Sequence, residues 1–199
     1  MVTRRKRRAS TTAAPPPRHW KLTAEQYQRM GETGILNEDD HVELLEGELY
    51  AMSPIGSWHN SRVDAIAAAF AGEALSRRAI VRVQGSFRLS PDAEPEPDIL
   101  VLRFRSDFYE TALPGPEDVL LLIEVAETSL AYDRDFKLPL YAAAGIPDAW
   151  LLNHDAMRLE IYREPHNGAY RSVTFVERSG SVTPLAFPDL TIQMSDILG

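Results

Sequence analysis

The chain has 199 residues, 44% hydrophobic and 25% charged, a balance that suits one ordinary globular domain and excludes wholesale disorder and fibrous structure. No apolar run approaches the roughly 20 residues that span a bilayer, and the lack of cysteine excludes disulfide scaffolds, thiolate zinc sites and cysteine nucleophiles, so any metal must be held by oxygen or imidazole, which points to hard cations. The net charge of −8 is uneven: residues 1–19 hold six of the 21 basic residues and no acid, whereas residues 20–199 hold 15 basic and all 29 acidic residues, a balance of −14.

Residues 1–19 read as a disordered, basic and proline-rich tail ahead of a single domain over 20–199. Arg4, Arg5, Lys6, Arg7 and Arg8 are followed by Pro15, Pro16 and Pro17 with no apolar periodicity to pack. No hydrophobic stretch follows the basic residues as in a secretory signal, and the expected location is cytoplasmic. Such a run either anchors nonspecifically on nucleic acid phosphates or is simply solvated; the second reading is the commoner for like-charge runs.

Thr23 and Gln26 have the spacing of a capping box, which predicts a short helix from Ala24 that stops by Gly31 or Gly34. Residues 42–45 and 48–52 are strand-like runs around Glu46-Gly47, a hairpin signal. Residues 57–75 carry Val63, Ile66, Ala67 and Phe70 at helical spacing and predict the longest helix, with Ser57 as its cap. Short strands are expected over 80–83 and 86–89. Pro91, Pro95 and Pro97 hold the next stretch extended and feed a short buried strand over 99–102. After a loop around Pro114-Gly115-Pro116, residues 119–125 form the most apolar strand of the chain. Residues 131–144 predict a helix ended by Gly145, with Pro147 just beyond. Strands follow over 150–152, 159–163 and 170–176, and a short helix near Ser195 closes the chain. Strands interleaved with two substantial helices imply one α/β or α+β domain.

Within this pattern Glu124 is out of place, a carboxylate in a strand of aliphatic residues. Taking it out of water uncompensated costs several kcal/mol or more. A buried salt bridge satisfies it, and so does a role as metal ligand or acid/base group. Asp98 opens the preceding apolar strand 26 residues earlier, and consecutive strands usually neighbour one another, so the two acids are expected close together. Two adjacent carboxylates do not both stay ionised without a cation between them. Lys137 is one of three lysines and lies 13 residues beyond Glu124 on the following helix. Asp133, Lys137 and Tyr141 share a face at i, i+4, i+8, while Phe136, Leu140 and Ala144 repeat that spacing as a core stripe. Lys137 then pairs with Asp133 on the surface, or neutralises Glu124, or acts in chemistry.

Glu96-Pro97-Asp98-Ile99, the run from Ile123 through Glu124 and Lys137 to Tyr141, and Ala144-Gly145-Ile146-Pro147-Asp148-Ala149-Trp150 resemble the Uma-two family of candidate restriction endonucleases, in the PD-(D/E)XK nuclease superfamily. The stretch from Val42 to Pro54, His59 and Gln84 also fit the family pattern, and the likeness runs in order from about Leu22 to Leu198. The resemblance implies a restriction-endonuclease-like mixed β-sheet flanked by helices. It implies a divalent metal, Mg²⁺ with Mn²⁺ as substitute, on Asp98, Glu124 and the backbone carbonyl of Val125, with Asp98, Glu124 and Lys137 as catalytic residues. One departure stands out: the superfamily's Glu-x-Lys would place the lysine at position 126, where this chain has Ala126, so the cation would come from Lys137. Glu43, as an acid from an earlier element, His59 near the start of the long helix, and Gln84 are further candidates.

The implied activity is metal-assisted hydrolysis of nucleic acid phosphodiesters, DNA in preference to RNA, with a homodimer left open. Alternatives are a catalytically silent binding or dimerisation module and a phosphodiesterase acting on a smaller substrate. The −14 body argues against a broad DNA-binding surface.

Overall fold

The computed structural model describes residues 19–71 and 77–199. The tail expected over 1–19 therefore lies, His19 apart, outside the described residues, as do positions 72–75 of the long helix.

Helix α1 (Ala24–Glu32) starts at the capping box: Gln26 N–H donates to the Thr23 hydroxyl and the Gln26 amide oxygen accepts from Thr23 N–H. Strands β1 (Val42–Leu45) and β2 (Glu48–Ala51) pair antiparallel through a two-residue turn. Glu46 and Gly47 both have positive φ, 49° and 78°, as a hairpin turn of this length requires. A Cβ on Gly47 would sit 2.6 Å from Lys21 Cβ, so the position is closed to larger residues.

Helix α2 (Ser57–Phe70) has Gly56 as its N-cap, with no side-chain cap. Ser57 is thus the first helical residue and not the expected cap. The Glu127 carboxylate lies against this helix start, 2.6 Å from where a Cβ on Gly56 would sit.

A six-stranded sheet follows, in the order β3 (Ala79–Val83), β4 (Ile99–Arg103), β5 (Val119–Ala126), β6 (Asp148–Asn153), β7 (Arg158–His166), β8 (Ala169–Glu177). All neighbours are antiparallel except β5 and β6, which are parallel and joined by a helical crossover. The architecture is the mixed α/β sheet flanked by helices that the sequence implied. Residues 86–89 form no strand. Their partner segment contains Pro95 and Pro97, which have no N–H to give a ladder, and only single contacts form, such as Phe87 N–H to the Pro95 carbonyl. One short antiparallel pair escaped the sequence reading: β9 (Ser181–Val182) with β10 (Ile192–Gln193), ahead of α5 (Met194–Leu198).

The helix expected over 131–144 is broken. It comprises α3 (Leu130–Tyr132), a π turn (Asp133–Lys137) and α4 (Leu138–Ala143). Pro139 has no N–H for the carbonyl one turn back and its ring crowds it. Leu138 N–H instead reaches the Asp133 carbonyl, five residues back, and the widened turn admits the proline. The turn also changes which face is inward. Asp133, Lys137 and Tyr141 are buried, whereas Phe136, Leu140 and Ala144, expected as the core stripe, are only partly so.

The central strands are largely aliphatic because both faces are covered. On one face Ile99, Val101, Leu121, Ile123 and Val125 pack against Val63, Ile66 and Phe70 of α2 and Ile197 of α5. On the other, Leu100, Leu102, Leu122 and Ala126 pack against Leu138 and Tyr141 and against Leu45 of the hairpin. The side chain at position 124 alternates with 123 and 125, so it enters the second face, under the π turn and α4.

Candidate active site

Asp98 immediately precedes β4, and the register Ile99 opposite Ile123 sets it beside Glu124 across the strand pair. Because β4 begins at Ile99, β5 projects past it, and the Asp98 side chain takes over where the backbone ladder stops. Its Oδ2 accepts the Val125 N–H at 2.8 Å. The N–H and C=O of a strand residue point the same way, so the Val125 carbonyl also faces the space beyond the end of β4. Asp98 N–H lies 3.4 Å from Glu124 Oε2, a long contact that leaves that oxygen weakly held.

Glu124 is 3% exposed, and its other oxygen is firmly engaged. Lys137 Nζ stands 2.9 Å from Oε1, and the Tyr141 hydroxyl donates to the same atom at 2.6 Å. Lys137 also reaches Glu43 Oε2 at 3.3 Å. Glu43 accepts from the Tyr132 hydroxyl at 3.3 Å and from Glu96 N–H at 3.2 Å. Of the readings open for Lys137, the surface pair with Asp133 is not formed; Asp133 is buried and accepts from the Ser129 hydroxyl. His59, expected near the start of α2, places Nε2 3.0 Å from Asp98 Oδ1, while its Nδ1 is buried with no partner among the described residues. Gln84, at φ 46°, bonds its N–H to the Asp98 carbonyl at 2.9 Å and so stands at the rim.

All seven residues singled out in the sequence (Glu43, His59, Gln84, Asp98, Glu124, Val125 and Lys137) line one cleft of about 810 Å³. The sequence reading gave no site role to Tyr132, Tyr141 or Glu96, which also line the cleft or touch its acids. Tyr141 had a visible signal, four residues beyond Lys137 on its face; Tyr132 and Glu96 carried none beyond their place within the motif runs.

The cleft is strongly acidic. Glu43, Glu96, Asp98, Glu124, Glu127 and Asp133 face it, against Lys137, His41 and His59. Burial pushes the Glu124 carboxyl up to about 8; Lys137 and the Tyr141 hydrogen bond pull it down, while Asp133 and Asp98 add to the rise. Burial alone would lower Lys137, but the charges of Glu124, Glu43 and Asp133 outweigh it and hold the ammonium protonated. Burial also raises Asp133 and Glu96. His59 is raised because its bond to Asp98 and that group's charge exceed the opposing effect of burial. Further positive charge in the cleft would favour the ionised form of Glu124.

The family model described as Uma2, "Putative restriction endonuclease", matches residues 24–195. The chain belongs to the Uma2 family. A crystal structure from Anabaena variabilis ATCC 29413, of a "putative nuclease belonging to DUF820", is similar with a TM-score of 0.67, covering 89% of this chain and 97% of that one at 14% identity. At that identity the likeness speaks for the fold: a nuclease-like sheet with its helices. No curated protein matches the chain. In this Uma2 chain Ala126 lies on the same sheet face as Glu124, and Lys137 descends onto that face from the π turn that covers it.

Proposed function

We propose that the chain is a divalent-metal-dependent endonuclease that hydrolyses nucleic acid phosphodiesters, DNA in preference to RNA, through a domain at 20–199 that follows a separate basic tail. The observation that carries this reading is the meeting of Asp98, Glu124 and Lys137 in one acidic cleft of a nuclease-like fold.

The residues present fit a Mg²⁺-type ion. Asp98, the weakly held Glu124 Oε2 and the Val125 carbonyl are hard oxygen donors at the same strand ends. No group of three or more carboxylate, imidazole or thiolate side chains is arranged for a metal among the described residues. Mg²⁺ is usually held by one or two carboxylates with water completing its shell, and two carboxylates with a backbone carbonyl are a donor set of that kind. When bound, such an ion supplies a more acidic water and counter-charge for the phosphate.

The chain's own groups do the rest. Lys137 fixes one Glu124 oxygen and presents a permanent cation to charge developing on the phosphate. Tyr141 locks the same carboxylate from below, and His59 orients Asp98 through Oδ1. The Gln84 side chain, at the rim, can donate to a phosphate oxygen.

A second reading has its own support. Lys137 touches both Glu124 and Glu43, so the cluster could persist as a neutralised salt-bridge core in a silent binding module. Incubation with plasmid DNA and with RNA, with Mg²⁺, Mn²⁺ or chelator, separates the two. Metal-dependent cleavage that is lost in Asp98→Asn is expected. Equal cleavage by both proteins, or none under any condition, would remove the endonuclease reading.

A further inference from the structure

Strand β8 closes one end of the sheet, and among the described residues no strand pairs with its outer edge. It is nine residues long and exposed along one face, where Arg171, Val173, Phe175 and Glu177 alternate. Val173 is 41% and Phe175 52% exposed. Long open edges bearing apolar side chains are normally blunted or covered. Here the chemistry of the edge indicates what covers it.

Two copies of one strand can extend a sheet antiparallel about a two-fold axis normal to the sheet. Paired residue numbers then have a constant sum, and each pair shares a face. Centring the axis on Thr174 pairs Arg171 with Glu177, Ser172 with Val176, Val173 with Phe175, and Thr174 with its own copy. These include an opposite-charge pair, a β-branched–aromatic pair and a threonine pair, combinations that stabilise antiparallel sheets. Every pair but the central one occurs twice. Shifting the axis to Val173 sets Arg171 against Phe175 and Glu177 against Ala169, and shifting it to Phe175 sets Val173 against Glu177, so both neighbouring registers lose the opposite-charge pair. One competitor lies within the chain: Arg158 sits opposite Glu177 on β7 and stacks 4.1 Å from the Phe175 ring centroid. Its guanidinium is also held by Glu160, however, and Phe175 remains half exposed.

We infer that β8 is a self-complementary edge through which two copies of this chain pair antiparallel about Thr174, joining their six-stranded sheets into one with both clefts on the same face.

The absence of cysteine gives a direct test on the full chain. Thr174→Cys should form a covalent dimer on mild oxidation, because the axis places that position against itself, whereas Ser172→Cys, two residues off the axis, should not. Sedimentation over a dilution series should show a monomer–dimer equilibrium in the wild type. Arg171→Glu and Glu177→Arg should each weaken it about tenfold, and the double swap should restore it, as a coupled pair requires. A chain that stays monomeric at every concentration, as it would if the edge were free or took another protein's strand, overturns the inference. So does equal cross-linking at 172 and 174, or a double swap no tighter than the single ones.

Discussion

Replacing Lys137 with methionine is the most discriminating perturbation of the cleft. Methionine keeps nearly the length and volume of lysine and deletes the charge, so little cavity is made. The lysine stands 2.9 Å from Glu124 and 3.3 Å from Glu43, with all three side chains 5% exposed or less. Removing one partner from a buried ionic cluster costs about 3–5 kcal/mol, because the carboxylates left behind have neither solvent nor counter-charge. For a chain of this size that lowers Tm by roughly 6–20 °C. Urea titration of Lys137→Met against the wild type reads the loss directly. Lys137→Met combined with Glu124→Gln removes both charges of the shorter contact and should recover at least half of it. Lys137→Arg keeps the charge, but its broad planar fork does not fit a pocket shaped for an ammonium, so stability should fall less than cleavage. A Lys137→Met protein within about 0.5 kcal/mol of the wild type would refute the argument, since a lysine that compensates two buried acids cannot be lost at the cost of a surface residue.

Three further outcomes are expected. Mg²⁺ or Mn²⁺ should raise the Tm of the wild type by the binding term, about 2.7 kcal/mol at a hundredfold excess over Kd, and not that of Asp98→Asn; an equal rise in both by differential scanning fluorimetry would place the ion elsewhere. Asp148 is fully buried and accepts from Trp150 Nε1, from Arg163 Nε and Nη2, and from Leu185 N–H. Asp148→Ala should therefore cost about 3–5 kcal/mol in chemical denaturation, with an unchanged midpoint counting against a structural role for this network. Burial alone would raise Glu160, but hydrogen bonds from Asn153, Tyr162 and Arg134 and the charge of Arg134 outweigh it and leave the carboxyl below its ordinary 4.5. Its contribution to stability is then complete above about pH 4.5 and lost as pH falls through the lower folded value, so Glu160→Gln should flatten the acid limb of the stability curve; an identical acid limb in both proteins would exclude that contribution.

Local physics left clear marks in the chain. Thr23 and Gln26 announce the first helix because a capping box is closed by neighbours three residues apart. Glu46-Gly47 announces a hairpin because a two-residue turn needs positive φ at both positions. Glu124 announces a site because a carboxylate among aliphatic strand residues must find a counterpart. The π turn was less legible. Pro139 was visible within a helical pattern, but whether a helix kinks, ends or widens at a proline depends on what lies beneath it. Here Lys137 and Tyr141 must both reach Glu124. The four residues 86–89 looked like a strand by composition and failed because the segment opposite them is rich in proline.

Residue types and short spacings thus determined most of the strands, most helix starts, the two acids and the rare lysine, since propensity, capping and the cost of burying charge act over a few residues. Convergence was decided only in three dimensions. His59 meets Asp98 from a helix 39 positions earlier, and Glu43 meets Lys137 across 94 positions, because the sheet order sets α2 and the hairpin at the projecting end of β5. No local rule encodes those distances. They follow from which strand lies beside which, and that is settled by the burial of two apolar faces over the whole chain.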